Sequence, residues 1–308
     1  MRRLSLTTDS PKATGVQQVA NTEPWASSAL HQVVSHGVLI AILAFSAYFL
    51  AAITLEKGYV LLTEDQLFEY WTVVLYLASA LVCLLGPRVF AGTASITLYW
   101  LMVWGVLFLL VALEELSWGQ RILGLDTPDF LVSRNLQKET NIHNLDSEGV
   151  NRLFASSVFA VAIALPSLLL LSKRLNSLVR RYGVPLPSWE LVVPFSLAFA
   201  FFVPAWVASA PETKVLTGLA LLWFTFVIIA KWRGSGAAFT RISTFHLLAG
   251  VLGIVAIQTV LAVFEGNLGH RSHPSEIMEF LFSICFLGFS LRVALPGLGK
   301  AIARFRLA

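Results

Sequence analysis

Charge is scarce in this chain. Only 13% of its 308 residues are Asp, Glu, Lys or Arg, while 56% are hydrophobic and mean hydropathy is +0.74. Soluble domains carry roughly 25% charged residues, so this composition cannot clothe a water-facing globule. Cysteine is nearly missing as well. Cys83 and Cys285 both sit inside apolar runs, which excludes a disulfide framework and fits small buried hydrophobes. No HExxH, GxSxG elbow, glycine-rich phosphate loop, internal repeat or inverted half-symmetry occurs, leaving zincin, α/β-hydrolase and P-loop chemistry without an anchor. Ser117-Trp118-Gly119 comes nearest to a nucleophile motif but has no elbow around it. The first thirty or so residues are polar, with no apolar stretch behind the basic start, so a secretory signal peptide is not expected.

What is abundant is uninterrupted apolar sequence. Runs long enough to cross about 30 Å of hydrocarbon at 1.5 Å per residue fall near 34–55, 67–86, 92–114, 153–172, 189–209, 214–231, 243–264 and 277–295. The expectation is an all-α polytopic transmembrane helical bundle of about eight spans. Pro166 interrupts the fourth run, and Pro194 and Pro204 the fifth; neighbouring helices can absorb such breaks. Residues 1–32 are expected to form a disordered cytoplasmic tail, 33–297 the bundle with an outer-face loop over 115–152, and 298–308 a basic cytoplasmic tail.

Charge placement sets the expected orientation. With the amino terminus inside, 15 of the 22 Lys and Arg fall on inner segments and 15 of the 18 Asp and Glu on outer ones. That asymmetry obeys the positive-inside rule and puts both termini in the cytoplasm. It also explains the net charge of +4 and the pI of about 9.2 without nucleic acid. Every dense polar motif then lies on the outer face: Glu64, Asp65 and Glu69, the stretch from Glu114 to Asn144, and Glu265 to Glu279.

The richest of these is EELSWGQRILGLDTPDFLVSRNLQKETNIHN, residues 114–144. Glu114 and Glu115 follow the last apolar residues of a span, where an ionised carboxylate is costly unless matched. A continuing helix would align Glu114, Ser117, Trp118 and Arg121 on one face and turn Glu115 away. Asn135, Gln137, Glu139, Asn141 and His143 alternate, so an extended backbone would set all five on one side. Glu114, Glu115, Arg121, Glu139 and His143 are therefore the candidate catalytic residues: carboxylates and imidazole for proton transfer, and Arg121 as a fork-shaped anion clamp. The plainer alternative is that Glu114 and Arg121 pair with other helices while Trp118 anchors at the membrane interface.

A metal is a further possibility. His143, His270, His273 and Glu265 could supply three ligands and leave a position for water, as at a divalent metal such as zinc. If Pro274 opens the last span, Glu276 and Glu279 share a face of its first turns, where the helix dipole alone accounts for at least one of them. His36 and His246 lie at similar inner depth, which suggests a bis-histidine haem, although interfacial histidines in separate helices account for them more simply.

EELSWGQRI followed by NLQKETNIHNL resembles a motif of multi-pass bacterial inner-membrane proteins, which implies that membrane as the location and brings no activity with it. Carboxylates and three histidines at one end of a bundle are also similar to the alkaline ceramidase-like membrane hydrolases, although the histidine spacing differs. Two functions follow as expectations. One is an integral membrane enzyme with an outer-leaflet Glu/His site that hydrolyses or transfers part of a lipid or lipid-linked substrate. The other is a non-catalytic membrane protein, a partner subunit or small transporter. The scarcity of ionisable residues at mid-span argues against ion-coupled transport. The partners implied are the bilayer, a lipid and another membrane protein, not nucleic acid.

Overall fold

The computed structural model describes residues 29–55, 66–89, 95–135, 138–142, 145, 147–201, 211–233, 243–264 and 274–305. Within these residues the fold is all-helical, and five helices are long and apolar enough to cross a membrane: Gln32–Thr54, Phe68–Gly86, Ile96–Glu115, Leu153–Leu171 and Thr244–Val263. This is the architecture of an integral membrane protein.

In chain order, α1 covers Ala29–Thr54, α2 Gln66–Val89 and α3 Ser95–Glu115. Two single-turn helices follow, α4 (Gln120–Leu123) and α5 (Asp129–Val132). Next comes one apolar rod with an altered middle: α6 (Ser147–Val158), a π-helical segment (Phe159–Ala164) and α7 (Leu165–Leu171). The basic helix α8 is Lys173–Arg181, and α9, Trp189–Phe199, is buried almost all round. The chain closes with α10 (Pro211–Trp232), α11 (Thr244–Val263) and α12 (Pro274–Phe305).

The prolines act where the sequence marks them. Pro166 has no N–H for the preceding turn, and the helix widens to π geometry just ahead of it, with the Ser167 hydroxyl donating to the Ile163 carbonyl at 2.6 Å. Pro194 lies inside α9. That helix has only 11 residues, about 16 Å at 1.5 Å per residue, too short to span hydrocarbon by itself. Gln258 of α11 donates to the Ala200 carbonyl at its end, 2.6 Å away, satisfying one of the acceptors that a helix terminus leaves over.

Hydrophobic segregation cannot drive helices together in lipid, so close packing has to. α9 sits at the centre and touches α1, α11, α12 and the π segment, while α12 lies along α2 and α2 along α3. Phe286 of α12 gathers aromatic rings from three neighbours: Phe195 at 4.9 Å, Phe108 at 5.1 Å, Trp104 at 6.0 Å and Tyr76 at 6.2 Å between centroids. Each well-oriented aromatic pair adds about 0.5–1.5 kcal/mol beyond burial. α12 meets α1 at Gly288, where an added Cβ would run into Val38. A valine cannot swing clear, because its branch fixes χ1.

Gly288→Leu should therefore overpack the α1–α12 crossing at a cost of about 1–3 kcal/mol. Thermal unfolding in detergent checks this, and the expected result is a lower Tm. An unchanged Tm would mean that the two helices do not cross this closely.

Candidate functional site

The site begins where α3 ends. Helical geometry stops at Glu115, and Ser117, Trp118 and Gly119 follow with φ of +49°, +55° and +83°. Three left-handed residues in succession, two of them with side chains, are costly, at about 1–2 kcal/mol for each non-glycine. Side-chain hydrogen bonds hold the turn in place. The Trp118 indole donates to Glu114 at 2.8 Å, and the Ser117 hydroxyl donates to Glu139 at 2.6 Å. The expected continuation of the helix through Arg121 is thus broken by a left-handed turn at Ser117–Gly119, after which a short helix, Gln120–Leu123, begins. Glu115 is not turned away from the site, because the surface that decides its role comes from another helix.

The returning chain closes over this turn. Glu114 accepts the Ile142 amide at 2.8 Å. Asn141 donates to Ser117 at 3.2 Å and to Glu139 at 3.0 Å. Asn135 is buried beneath them and donates to the Asn141 carbonyl at 3.0 Å and to its side-chain oxygen at 2.9 Å, while accepting the Glu139 amide at 3.2 Å. Gln120 accepts both the amide and the hydroxyl of Thr140, each at 2.7 Å. The expected one-sided ladder is therefore not an extended strand. Lys138 takes φ +57°, and the segment bends so that Asn135, Glu139 and Asn141 converge by hydrogen bonding. Glu139 accepts from both Ser117 and Asn141 and so helps to hold the loop together.

Beside this knot lies a cavity of about 470 Å³, within the range typical of small-molecule sites. Leu110, Val111, Val150 and Phe154 make its walls apolar, and Glu114, Glu115, Trp118 and Glu279 also line it. α12 opens at Pro274 and so carries Glu279 into the same chamber as Glu115. Among the described residues the electrostatic neighbours of Glu279 are Glu115, Glu276 and Glu69, all carboxylates. Carboxylates from the start of α2, the end of α3 and the start of α12 thus gather at one end of the bundle. Below them the Tyr76 side chain is 1% exposed, its hydroxyl buried without a hydrogen-bond partner among the described residues and in electrostatic range of Glu115 and Glu279.

No protein-family model, curated protein or solved structure matches this chain.

The structure brings together Glu114, Glu115 and Glu139 among the expected site residues and adds Glu279, Trp118, Ser117 and Tyr76. His143, His270, His273 and Glu265 lie outside the described residues, as does the side chain of Arg121. Among the described residues no group of three His, Cys, Asp or Glu side chains is arranged to hold a metal ion, so the zinc expectation stays with those four residues. The helix dipole was a sufficient explanation for at least one of Glu276 and Glu279, and no local spacing links Glu279 to Glu115.

A second polar cluster occupies the other end of α12. Arg292 donates to Ser35 at 2.6 Å and to Glu190 at 3.1 Å. His36 and His246 meet edge to face at 4.8 Å between ring centroids. A haem sandwiched between these imidazoles would need them on opposite faces of the porphyrin, and rings in mutual contact leave no room for it. His246 is wholly buried, with neither ring nitrogen partnered among the described residues.

Asn135→Leu removes the amide at the centre of the knot and leaves buried partners unsatisfied, a loss on the order of 1–3 kcal/mol. Hydrogen exchange at the Glu139 amide should accelerate while the α2 and α12 core stays protected. Unaltered exchange at Glu139 would show that the knot does not hold the loop.

Proposed function

We propose that the protein is an integral membrane enzyme that hydrolyses or transfers part of a lipid or lipid-linked substrate, with Glu115 and Glu279 as the proton-transferring pair. The observation that carries this reading is a single chamber in which apolar walls, suited to an acyl or prenyl chain, meet two carboxylates from different helices. Paired carboxylates in unlike surroundings divide the roles of acid and base between them. Glu114 orients Trp118 and the returning loop, and His143 and Arg121 belong to the same segment of chain. The loop-charge asymmetry supports both termini lying in the cytoplasm, about eight crossings, and a chamber that opens toward the outer leaflet. The likeness of the EELSWGQRI segment to bacterial inner-membrane proteins supports that membrane as the location.

One observation favours the non-catalytic reading, in which the protein is a partner subunit. Ile122, Leu123, Leu125 and Phe130 are all more than half exposed on the short helices beside the knot, and exposed apolar clusters mark docking or membrane-contact surfaces.

Incubating the reconstituted protein with membrane lipid extract and following the lipids by mass spectrometry separates the two. The enzyme reading expects one lipid class to be consumed and its product to appear. Glu115→Gln and Glu279→Gln should each slow turnover by about 10²–10⁴-fold without losing bound lipid. Absence of turnover by the unaltered protein, with a second membrane protein co-purifying in fixed ratio, would favour the subunit reading.

A further inference from the structure

We propose that α8 is a headgroup-binding helix: it lies in the membrane interface at the end of the bundle away from the chamber, where Lys173, Arg174 and Arg181 hold anionic phospholipids. This site is separate from the chamber and does not depend on what the chamber does.

The sequence of α8, KRLNSLVRR, carries four cations in nine residues, and no acidic residue follows before Glu190. At 3.6 residues per turn, Lys173, Arg174, Arg180 and Arg181 share about one third of the helix circumference, while Leu175, Leu178 and Val179 take the opposite side. All four cations are exposed, as is Leu178, and Leu175 and Val179 are half-buried. Helices with segregated basic and apolar faces lie in the plane of the membrane interface.

The place of α8 in the fold agrees with its pattern. The rod that begins beside the chamber, at Val150 and Phe154, crosses to Leu171. α8 therefore starts one residue beyond a membrane-spanning segment, at the opposite end from the chamber. Leu171 and Tyr182, both more than half exposed, flank it, and an aromatic ring with a polar tip suits that depth.

Both ends of the helix are fixed. Ser172 leaves the rod with extended backbone and caps α8 by accepting the Leu175 amide at 3.2 Å. Gly183 follows with φ +59°, set so close to α3 that a Cβ would meet Ile96 and Thr97. The Trp100 indole of α3 donates to the Tyr182 carbonyl at 2.8 Å. Arg180 is steadied by Asn176, to which its Nε donates at 3.0 Å. Membrane insertion requires cations near the end of a span and makes no demand on their arrangement, whereas here they are displayed along one side of an anchored helix. Among the described residues no carboxylate pairs with Lys173, Arg174 or Arg181. An anionic lipid supplies the matching charge, while a choline headgroup would bring a further cation against them.

The test uses the full-length protein in phosphatidylcholine bilayers doped with either a phosphatidylglycerol or a phosphatidylcholine carrying the same photoreactive group near its headgroup. Labelled peptides are mapped by mass spectrometry. The expected result is that the phosphatidylglycerol probe labels 172–182 at least about tenfold more than the phosphatidylcholine probe. High salt should shrink that preference on the unaltered protein, so the test does not depend on any variant folding. Lys173→Gln, Arg174→Gln and Arg181→Gln should each lower it about fivefold while leaving labelling by the phosphatidylcholine probe intact.

Equal labelling of 172–182 by the two probes would overturn the proposal, as would a preference that survives high salt and all three substitutions. Displacement of the phosphatidylglycerol probe by inorganic phosphate would also overturn it, by marking a site for a soluble anion. Failure of both probes to label this segment would place α8 outside the interface, with the same consequence.

Discussion

The carboxylate of Glu114 holds the polar end of this molecule together. It stands on the last turn of α3 and accepts two donors from further along the chain, the Trp118 indole four residues on and the Ile142 amide 28 residues on. Because one acceptor takes both, the left-handed turn and the returning segment are fixed by the same group. Asn135, Asn141, Ser117 and Glu139 then complete a network in which each side chain is hydrogen-bonded to another. Buried polar networks of this kind rigidify what they join. A loop so held can serve as one wall of a cavity, which a loosely tethered one could not.

The bundle beneath provides the opposite wall. α12 is drawn against α1 by the absence of a side chain at Gly288, against α9 through Phe195 and Phe286, and against α2 through Tyr76. These contacts settle where the first turns of α12 stand, and with them Glu279. The carboxylate pair across the cavity is thus a product of core packing two to three helical turns away, a link between buried aromatics and chemistry at the rim.

Much of this was legible in the apolar pattern. The runs at 34–55, 67–86, 92–114, 153–172 and 243–264 correspond to helices long enough to span, since twenty-odd consecutive apolar residues have few other uses. Pro274 marked the start of α12 because its missing N–H is harmless there. The sequence could not show that α3 stops at Glu115. Periodicity extrapolates a helix smoothly through Leu116 and Ser117, and Gly119 is the only local signal against it. The left-handed turn is held by partners that lie 22 and 28 residues downstream. The same limit applies to Glu115 and Glu279, whose neighbourhood depends on how α3 and α12 pack. It applies also to the polar alternation of 135–141, which looked like an extended face and instead folds upon itself through Asn135.

Ser117 and Trp118 also bear on what fixes residue identity at this turn. Left-handed backbone costs glycine almost nothing and costs other residues more, so at both positions the main chain alone would prefer glycine, as it has at Gly119. What opposes that preference is entirely side-chain in origin: a hydroxyl engaged by Glu139 and Asn141, and an indole engaged by Glu114. Backbone and side chain make opposing demands at two adjacent residues, and the side chain prevails at both. A turn in which conformational ease is overruled twice is specified by what its side chains touch.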